Sequence, residues 1–123
     1  MRADTPEETS TLMSQAISAG DLESAVGLFE PSASFVQLSH VAQGSEQIRR
    51  ALEFLLSMKP ALIGIPERVV AAGDVALVCG RWTMQGTGPD DNPLRLAGKF
   101  TDVVRRQADG RWLFVIDNPY GVD

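Results

Sequence analysis

Apolar and polar residues alternate through the C-terminal half of the chain, with the period of two that predicts β-strands. Turns at Gly73-Asp74 and at Ala108-Asp109-Gly110 separate successive strands, because glycine adopts a positive φ at little cost. Pro66 cannot donate a hydrogen bond to a sheet, so it places the first of these strands at a sheet edge. Four successive strands predict an antiparallel meander. They run from Ala61 to Ala72, Val75 to Met84, Leu94 to Arg106 and Arg111 to Asp117.

The N-terminal half repeats its apolar residues at helical spacing instead. The Thr-Pro-Glu-Glu sequence at 5–8 matches a capping box and predicts a helix start, and Gly20 ends that helix. Asp21 is typical of the cap of a second, shorter helix, which we expect to include Phe29.

A short apolar stretch at 33–39 predicts a strand, and a third helix begins at Glu46. The order of elements is therefore helix, helix, strand, helix and four strands. This order predicts an α+β fold, in which a mostly antiparallel sheet carries helices on one face.

One carboxylate interrupts the apolar face of the strand at 94–106. Asp102 lies between Phe100 and Val104 on this face, so burial is expected to raise its pKa and suit it to acid–base chemistry near neutral pH. The alternative is a structural role, in which an arginine or a backbone donor pairs with Asp102.

A second carboxylate, Asp117, shares a face with Leu113 and Val115 by the same period of two. Two carboxylates in one pocket push their pKa values apart, which makes one an acid and the other a base. Alternatively, Asp117 ends its strand and hydrogen-bonds to the segment 118–120.

Two further side chains have both a functional and an ordinary interpretation. Trp82 is in register with Gly80 and should face inward, either as a pocket wall that stacks on a flat ligand or as simple core. His40 follows the short strand and is either a proton shuttle or a surface histidine.

Composition excludes several classes of function. The 123 residues, 44% of them hydrophobic, suit one domain over 1–123, and the net charge of −5 argues against a nucleic-acid partner. One cysteine, Cys79, and one histidine cannot form an internal disulfide or a protein-only zinc site. No cofactor is therefore predicted. No apolar signal segment or membrane-spanning run occurs, so we expect a cytoplasmic protein with no membrane partner.

Several short motifs occur along the chain in a characteristic order. They are Ala19-Gly20-Asp21, Phe29-Glu-Pro-Ser-Ala33, Gly44-Ser45-Glu46-Gln47-Ile48, Gly80-Arg81-Trp82, Thr101-Asp102-Val-Val-Arg-Arg, Asp109-Gly110-Arg-Trp112 and Asp117-Asn118-Pro119. Together they resemble the nuclear transport factor 2-like superfamily, above all its polyketide-cyclase-like (SnoaL-like) and ketosteroid-isomerase-like branches. The resemblance implies a cystatin-like cone, in which a curved sheet wraps around helices and encloses an apolar pocket. It also implies homodimers that pair through the outer face of the sheet.

The resemblance carries over the isomerase's catalytic residues only in part. Its base aspartate falls on Gln37, which can orient a carbonyl or a water molecule but cannot abstract a proton. Its oxyanion tyrosine falls on Met13, and its protonated oxyanion aspartate falls on Asp102. Steroid isomerisation by that mechanism is therefore not expected.

The sequence favours a pocket for a small apolar or aromatic molecule. We expect cofactor-free acid–base chemistry, of isomerase, cyclase or hydrolase type, on a carbonyl-bearing compound. Asp102 would be the acid or base, with Asp117 or His40 as its helper and Gln37 as an orienting group. The alternative is a non-catalytic ligand-binding or dimerisation module of the same fold. The remaining residues expected around the ligand are Met13, Phe35, Leu55, Met58, Val78, Trp82, Phe100 and Val115.

The outward face of the predicted sheet mixes apolar and charged residues, which is compatible with a two-fold interface between copies of the chain. It comprises Lys99, Thr101, Val103 and Arg105 together with Leu77, Cys79 and Arg81.

Overall fold

Six strands form one mixed sheet in the order β2-β1-β6-β5-β4-β3. The structure is a computed structural model and describes residues 2–121. Its elements are α1 (Glu8–Ala19), α2 (Leu22–Val26), β1 (Phe29–Val36), β2 (Val41–Gln43), α3 (Gly44–Leu56), β3 (Ala61–Ala72), β4 (Val75–Thr87), β5 (Pro93–Arg106) and β6 (Trp112–Asp117).

The antiparallel meander predicted for the C-terminal half is confirmed, since β3, β4, β5 and β6 pair in sequence. β3 lies at the edge of the sheet, and its register shifts between Pro66 and Arg68. The predicted short strand corresponds to β1, which pairs in parallel with β6. The sequence did not reveal β2, which extends the other edge by pairing antiparallel with β1.

The predicted boundaries of the first two helices are wrong by a few residues. The Thr5 hydroxyl lies 3.1 Å from Oε1 of Glu8 instead of capping the backbone, and α1 begins at Glu8. α2 is capped by Asp21, whose carboxylate accepts the backbone N–H of Ser24 at 3.1 Å. However, α2 ends at Val26, and Phe29 already belongs to β1.

Packing against β6 explains why Phe29 is in a strand. The N–H of Phe114 donates to the carbonyl of Leu28 at 2.8 Å, and the rings of Phe29 and Phe114 lie 5.2 Å apart between centroids. Tertiary pairing with a distant strand therefore overrides the helical spacing of the local sequence.

The helices cover one face of the sheet and form the core with it. α1 packs against β3, and α3 packs against β1. On β5 the predicted inward face is confirmed at Phe100, Asp102 and Val104, which are all buried. Leu96, nearer the start of β5, is 45% exposed and lies outside the core.

A β-bulge in β6 changes which of its residues face inward. Val104 pairs with Phe114, whereas the adjacent Val103 pairs with Ile116. Val115 is thus an extra residue in β6, and the alternation of faces reverses there. Phe114, 1% exposed, is part of the core on one side of the bulge. The predicted period of two from Leu113 through Val115 to Asp117 is therefore wrong.

Candidate active site

A largely apolar cavity of about 440 Å³ opens between the helices and the inner face of the sheet. Val78 and Val115, which the sequence placed around the ligand, do not line it. Val78 is fully buried within the core, and the bulge displaces Val115. The other predicted ligand-binding residues line the cavity: Met13, Phe35, Gln37, Leu55, Met58, Trp82 and Phe100.

Asp102 and Asp117 both line this cavity, and their carboxyl groups hydrogen-bond to each other. β5 and β6 place them side by side, because the neighbouring residues Val103 and Ile116 are cross-strand partners. Asp102 is only 3% exposed and Asp117 only 9%. The backbone N–H of Asn118 donates to Oδ1 of Asp102 at 2.9 Å. The two side chains form the carboxyl pair of the site.

The surroundings of the carboxyl pair shift the pKa values of its two members to different extents. Burial raises the pKa of Asp102 well above its ordinary value, and the adjacent Asp117 raises it further; the Asn118 N–H opposes this shift without outweighing burial. Burial also raises the pKa of Asp117, to about 6, while its hydrogen bond with Asp102 acts in the opposite direction. The two carboxyl groups therefore titrate as a coupled pair, in which burial favours the protonated form of both and the charge of Asp117 holds the proton on Asp102.

No cation neutralises this charge within residues 2–121. The ion pairs of this part of the chain involve other carboxylates, such as Glu23 with Arg49 and Asp74 with Arg106. The lining of the cavity includes no lysine or arginine among these residues. A structural ion pair at Asp102, one of the two sequence interpretations, is thus not formed with any described arginine or lysine. A backbone donor, the other part of that interpretation, does contact Asp102.

Two aromatic residues form a wall of the cavity, and each faces a glycine on the adjacent strand. Trp82 on β4 is opposite Gly98, and Phe100 on β5 is opposite Gly80. The indole N–H of Trp82 donates to the carbonyl of Pro119. Because this bond uses its only donor, Trp82 offers a ligand apolar surface alone.

The structure places the remaining polar candidates near the cavity, but not equally deep. His40 is exposed in the turn between β1 and β2, where its Nδ1 lies 3.1 Å from the Ser39 hydroxyl. Gln37 is half-buried, and its amide nitrogen donates to the carbonyl of Val36 at 3.1 Å. Both line the cavity, whereas only Asp102 and Asp117 are buried in it together.

Sequence reasoning missed several residues that line the cavity. Tyr120 lies three residues beyond Asp117, and both burial and the Asp117 charge raise the pKa of its phenol. Its position close after a candidate aspartate was the available signal. Leu38, Phe54 and Leu96 are exposed and line the outer part of the cavity. Alternation along β5 points Leu96 inward, whereas nothing local in the sequence marks Leu38 and Phe54.

Residues 2–121 contain neither a cluster of metal ligands nor a membrane-spanning helix. No three His, Cys, Asp or Glu side chains in this part of the chain come together as a metal would require. None of its helices has the length and apolarity needed to cross a membrane.

A mixed sheet around N-terminal helices, with a cavity between the two, defines the α+β cone of the cystatin-like, nuclear transport factor 2-like fold. An NTF2-like superfamily protein from Salmonella enterica serovar Typhimurium aligns with a TM-score of 0.80 and 18% identity, over 94% of this chain and 89% of that chain. A ketosteroid isomerase-like protein from Erwinia carotovora atroseptica aligns with a TM-score of 0.80 and 14% identity, over 90% and 88%. An NTF2-like protein from Novosphingobium aromaticivorans aligns with a TM-score of 0.78 and 16% identity, over 95% and 79%.

Residues 11–115 match the SnoaL-like domain family, and the chain belongs to this family. The predicted superfamily and cone-shaped fold are thus confirmed. A search of curated protein sequences gave no significant match. The reaction depends on the residues of the site and not on the fold, because one fold supports many functions.

Proposed function

We propose that this protein is a cofactor-free acid–base enzyme that acts on a small apolar compound with a carbonyl group. The observation that carries the proposal is the carboxyl pair, two buried aspartates whose carboxyl groups hydrogen-bond to each other inside an apolar cavity. Paired carboxyl groups with separated pKa values are a common way to provide an acid and a base at one site.

The pair assigns a different role to each aspartate. Asp117 is the base, because a pKa of about 6 leaves its carboxylate ionised at neutral pH and still basic enough to accept a proton. Asp102 is the acid, because burial beside Asp117 keeps its proton in place. Asp117 removes a proton from the carbon next to the carbonyl, and the C–H electrons form a carbon–carbon double bond. The carbonyl oxygen then gains negative charge, which the Asp102 O–H stabilises.

The walls of the cavity suit an uncharged, apolar body. Trp82, Phe100 and Phe35 provide aromatic surface, and Met13, Leu55 and Met58 provide aliphatic surface. His40 lies near the entrance and is assigned no direct role in the proton transfer. The resemblance of the fold to a ketosteroid isomerase-like protein is compatible with this class of reaction.

Hydrogen–deuterium exchange tests the proposal without knowledge of the natural substrate. 1-Indanone, a small apolar ketone, is incubated with the protein in D₂O at pH 7.5, and loss of its α-proton signal is followed by NMR. The expected result is exchange faster than in buffer alone. Asp117→Asn should abolish the acceleration, since an amide cannot accept the proton, and Asp102→Asn should reduce it.

The matched control is Asp91→Asn, the same chemical change in an exposed loop. This variant should accelerate exchange like the wild type. If indanone binds but wild type and both pair variants leave its exchange at the buffer rate, the enzyme proposal is overturned for such ketones. The site would then favour the alternative, a non-catalytic ligand-binding module.

A further inference from the structure

The carboxyl pair lacks a positively charged partner among residues 2–121. Asp117 is nine-tenths buried, and in the described part of the chain its side chain hydrogen-bonds to Asp102. No arginine or lysine within residues 2–121 lines the cavity around it. A buried carboxylate without a counter-charge is costly, and a bound cation would relieve that cost.

The wall beside the pair is also suited to a cation. Trp82 and Phe100 line the cavity together with the two aspartates, and the faces of aromatic rings attract ammonium groups. The indole N–H of Trp82 is occupied by Pro119, so its ring surface is what remains for a ligand. The net charge of −5 adds a general attraction for cations.

The entrance of the cavity carries three exposed apolar side chains. Leu38, Phe54 and Leu96 line it while being 86%, 63% and 45% exposed. These side chains can cover the apolar body of a ligand that reaches out of the cavity. A ligand that suits both ends of the cavity has an apolar body and one charged group.

We infer that the cavity binds a lipophilic ammonium ion, with its nitrogen against Asp117 and its apolar body against Trp82, Phe100 and the entrance residues. This inference rests on the proposed site and specifies its substrate class as a carbonyl compound that also carries a basic nitrogen. Anions are rejected, because they would bring a second negative charge into an apolar cavity that already holds one.

Three probes of nearly equal shape test the inference in the wild-type protein. They are 1-naphthylmethylamine, which is a cation at pH 7.5, neutral 1-naphthylmethanol and anionic 1-naphthoate. Their Kd values are measured by isothermal titration calorimetry. The amine should bind about tenfold more tightly than the alcohol, and the naphthoate should bind more weakly than both. Asp117→Asn should remove the advantage of the amine over the alcohol, and Asp91→Asn should leave that advantage in place.

A measurement at pH 5 provides a second test that does not depend on how well Asp117→Asn folds. Burial raises the pKa of Asp117 to about 6, so protonation of this carboxylate at pH 5 should reduce the advantage of the amine. The other titratable groups that face the cavity are His40 and Tyr120, and Cys79 lies close to Asp102. The comparison is repeated with His40→Gln, because His40 is the one histidine of the sequence and lines the cavity.

The outcomes separate this inference from the proposed reaction. If the alcohol binds as tightly as the amine, or if none of the probes binds, the inference is overturned, whatever indanone exchange shows. If the amine is preferred through Asp117 but no exchange occurs, the inference stands and the proposed reaction fails.

Discussion

Trp82 and Gly98 face each other across β4 and β5, and the indole occupies the space that a side chain at position 98 would need. A Cβ atom at Gly98 would lie 2.9 Å from three atoms of the indole ring. The adjacent pair reverses the arrangement, since a Cβ atom at Gly80 would lie 2.7 Å from the ring of Phe100. The aromatic wall of the cavity therefore depends on glycine at both positions.

We predict that Gly98→Ala displaces the indole of Trp82 and breaks its hydrogen bond to Pro119. Overpacking of this kind typically lowers the free energy of unfolding by about 1–3 kcal/mol, and it should weaken binding of naphthalene probes. Urea denaturation and calorimetry measure the two effects. Ala97→Val, which enlarges an exposed residue on the opposite face, is the control. Unchanged stability and binding in Gly98→Ala would show that the wall adjusts freely.

The carboxyl pair should make the folded protein less stable as the pH rises. A carboxyl group with a higher pKa in the folded state binds its proton more strongly there. The free energy of unfolding therefore falls as the pH rises from the pKa of the unfolded state to the pKa of the folded state. For Asp117 that range runs from 3.8 to about 6. A pKa shift of about two units corresponds to a change on the order of 3 kcal/mol in the free energy of unfolding. The raised pKa of Asp102 extends the decline to higher pH.

Asp102→Asn should reduce the fall in the free energy of unfolding that accompanies rising pH. Its amide can donate to Asp117, and its carbonyl can still accept the Asn118 N–H. The variant should therefore match or exceed the stability of the wild type at pH 7, and the difference should narrow near pH 4. Denaturation curves across this range measure it, with Asp91→Asn expected to follow the wild type. A loss of several kcal/mol at pH 7 would identify Asp102 as a purely structural carboxyl.

The titration of Asp117 can also be observed directly. We predict that its side-chain carboxyl carbon titrates near pH 6 in the wild type. In Asp102→Asn the midpoint should be higher, because the hydrogen bond from Asp102, which lowers the pKa of Asp117, is replaced by a hydrogen bond from an amide, a weaker donor. Carbon-13 NMR of the labelled protein measures both midpoints. Equal midpoints in the two proteins would mean that the aspartates titrate independently.

The outer face of the sheet carries a row of four apolar residues in cross-strand register. Val70 pairs with Leu77, Leu77 with Val103, and Val103 with Ile116. Leu77 and Ile116 are 36% and 38% exposed. We propose that this row, which includes part of the predicted outer face, is the centre of an isologous dimer interface.

Leu77→Arg should therefore convert a dimer into a monomer of 13.3 kDa, because it places charge at the centre of an apolar contact. Light scattering after gel filtration measures the mass. Val41→Arg, at an exposed apolar residue of β2, is the control and should remain dimeric. A wild-type protein that elutes as a monomer at micromolar concentration would refute the interface.

The sequence by itself determined the meander and the inward position of Asp102. Alternation along β3, β4 and β5 is a local property, because successive side chains of an extended chain point to opposite faces. The cap at Asp21 is equally local, since its partner is Ser24. The end of α2 is not a local property, because Phe29 joins β1 through contacts with β6, more than eighty residues away in sequence.

The electrostatics of the site were decided only by the tertiary structure. The predicted alternation placed Asp117 on the inner face together with Leu113 and Val115. Asp117 does face inward, but only because the bulge at Val115 shifts the alternation by one residue. The pairing of β5 with β6 then brings Asp117 against Asp102. Whether an arginine or a lysine contacts the carboxyl pair depends on the side chains that all the surrounding helices and strands contribute to the cavity. That is a property of three-dimensional packing, which no local pattern encodes.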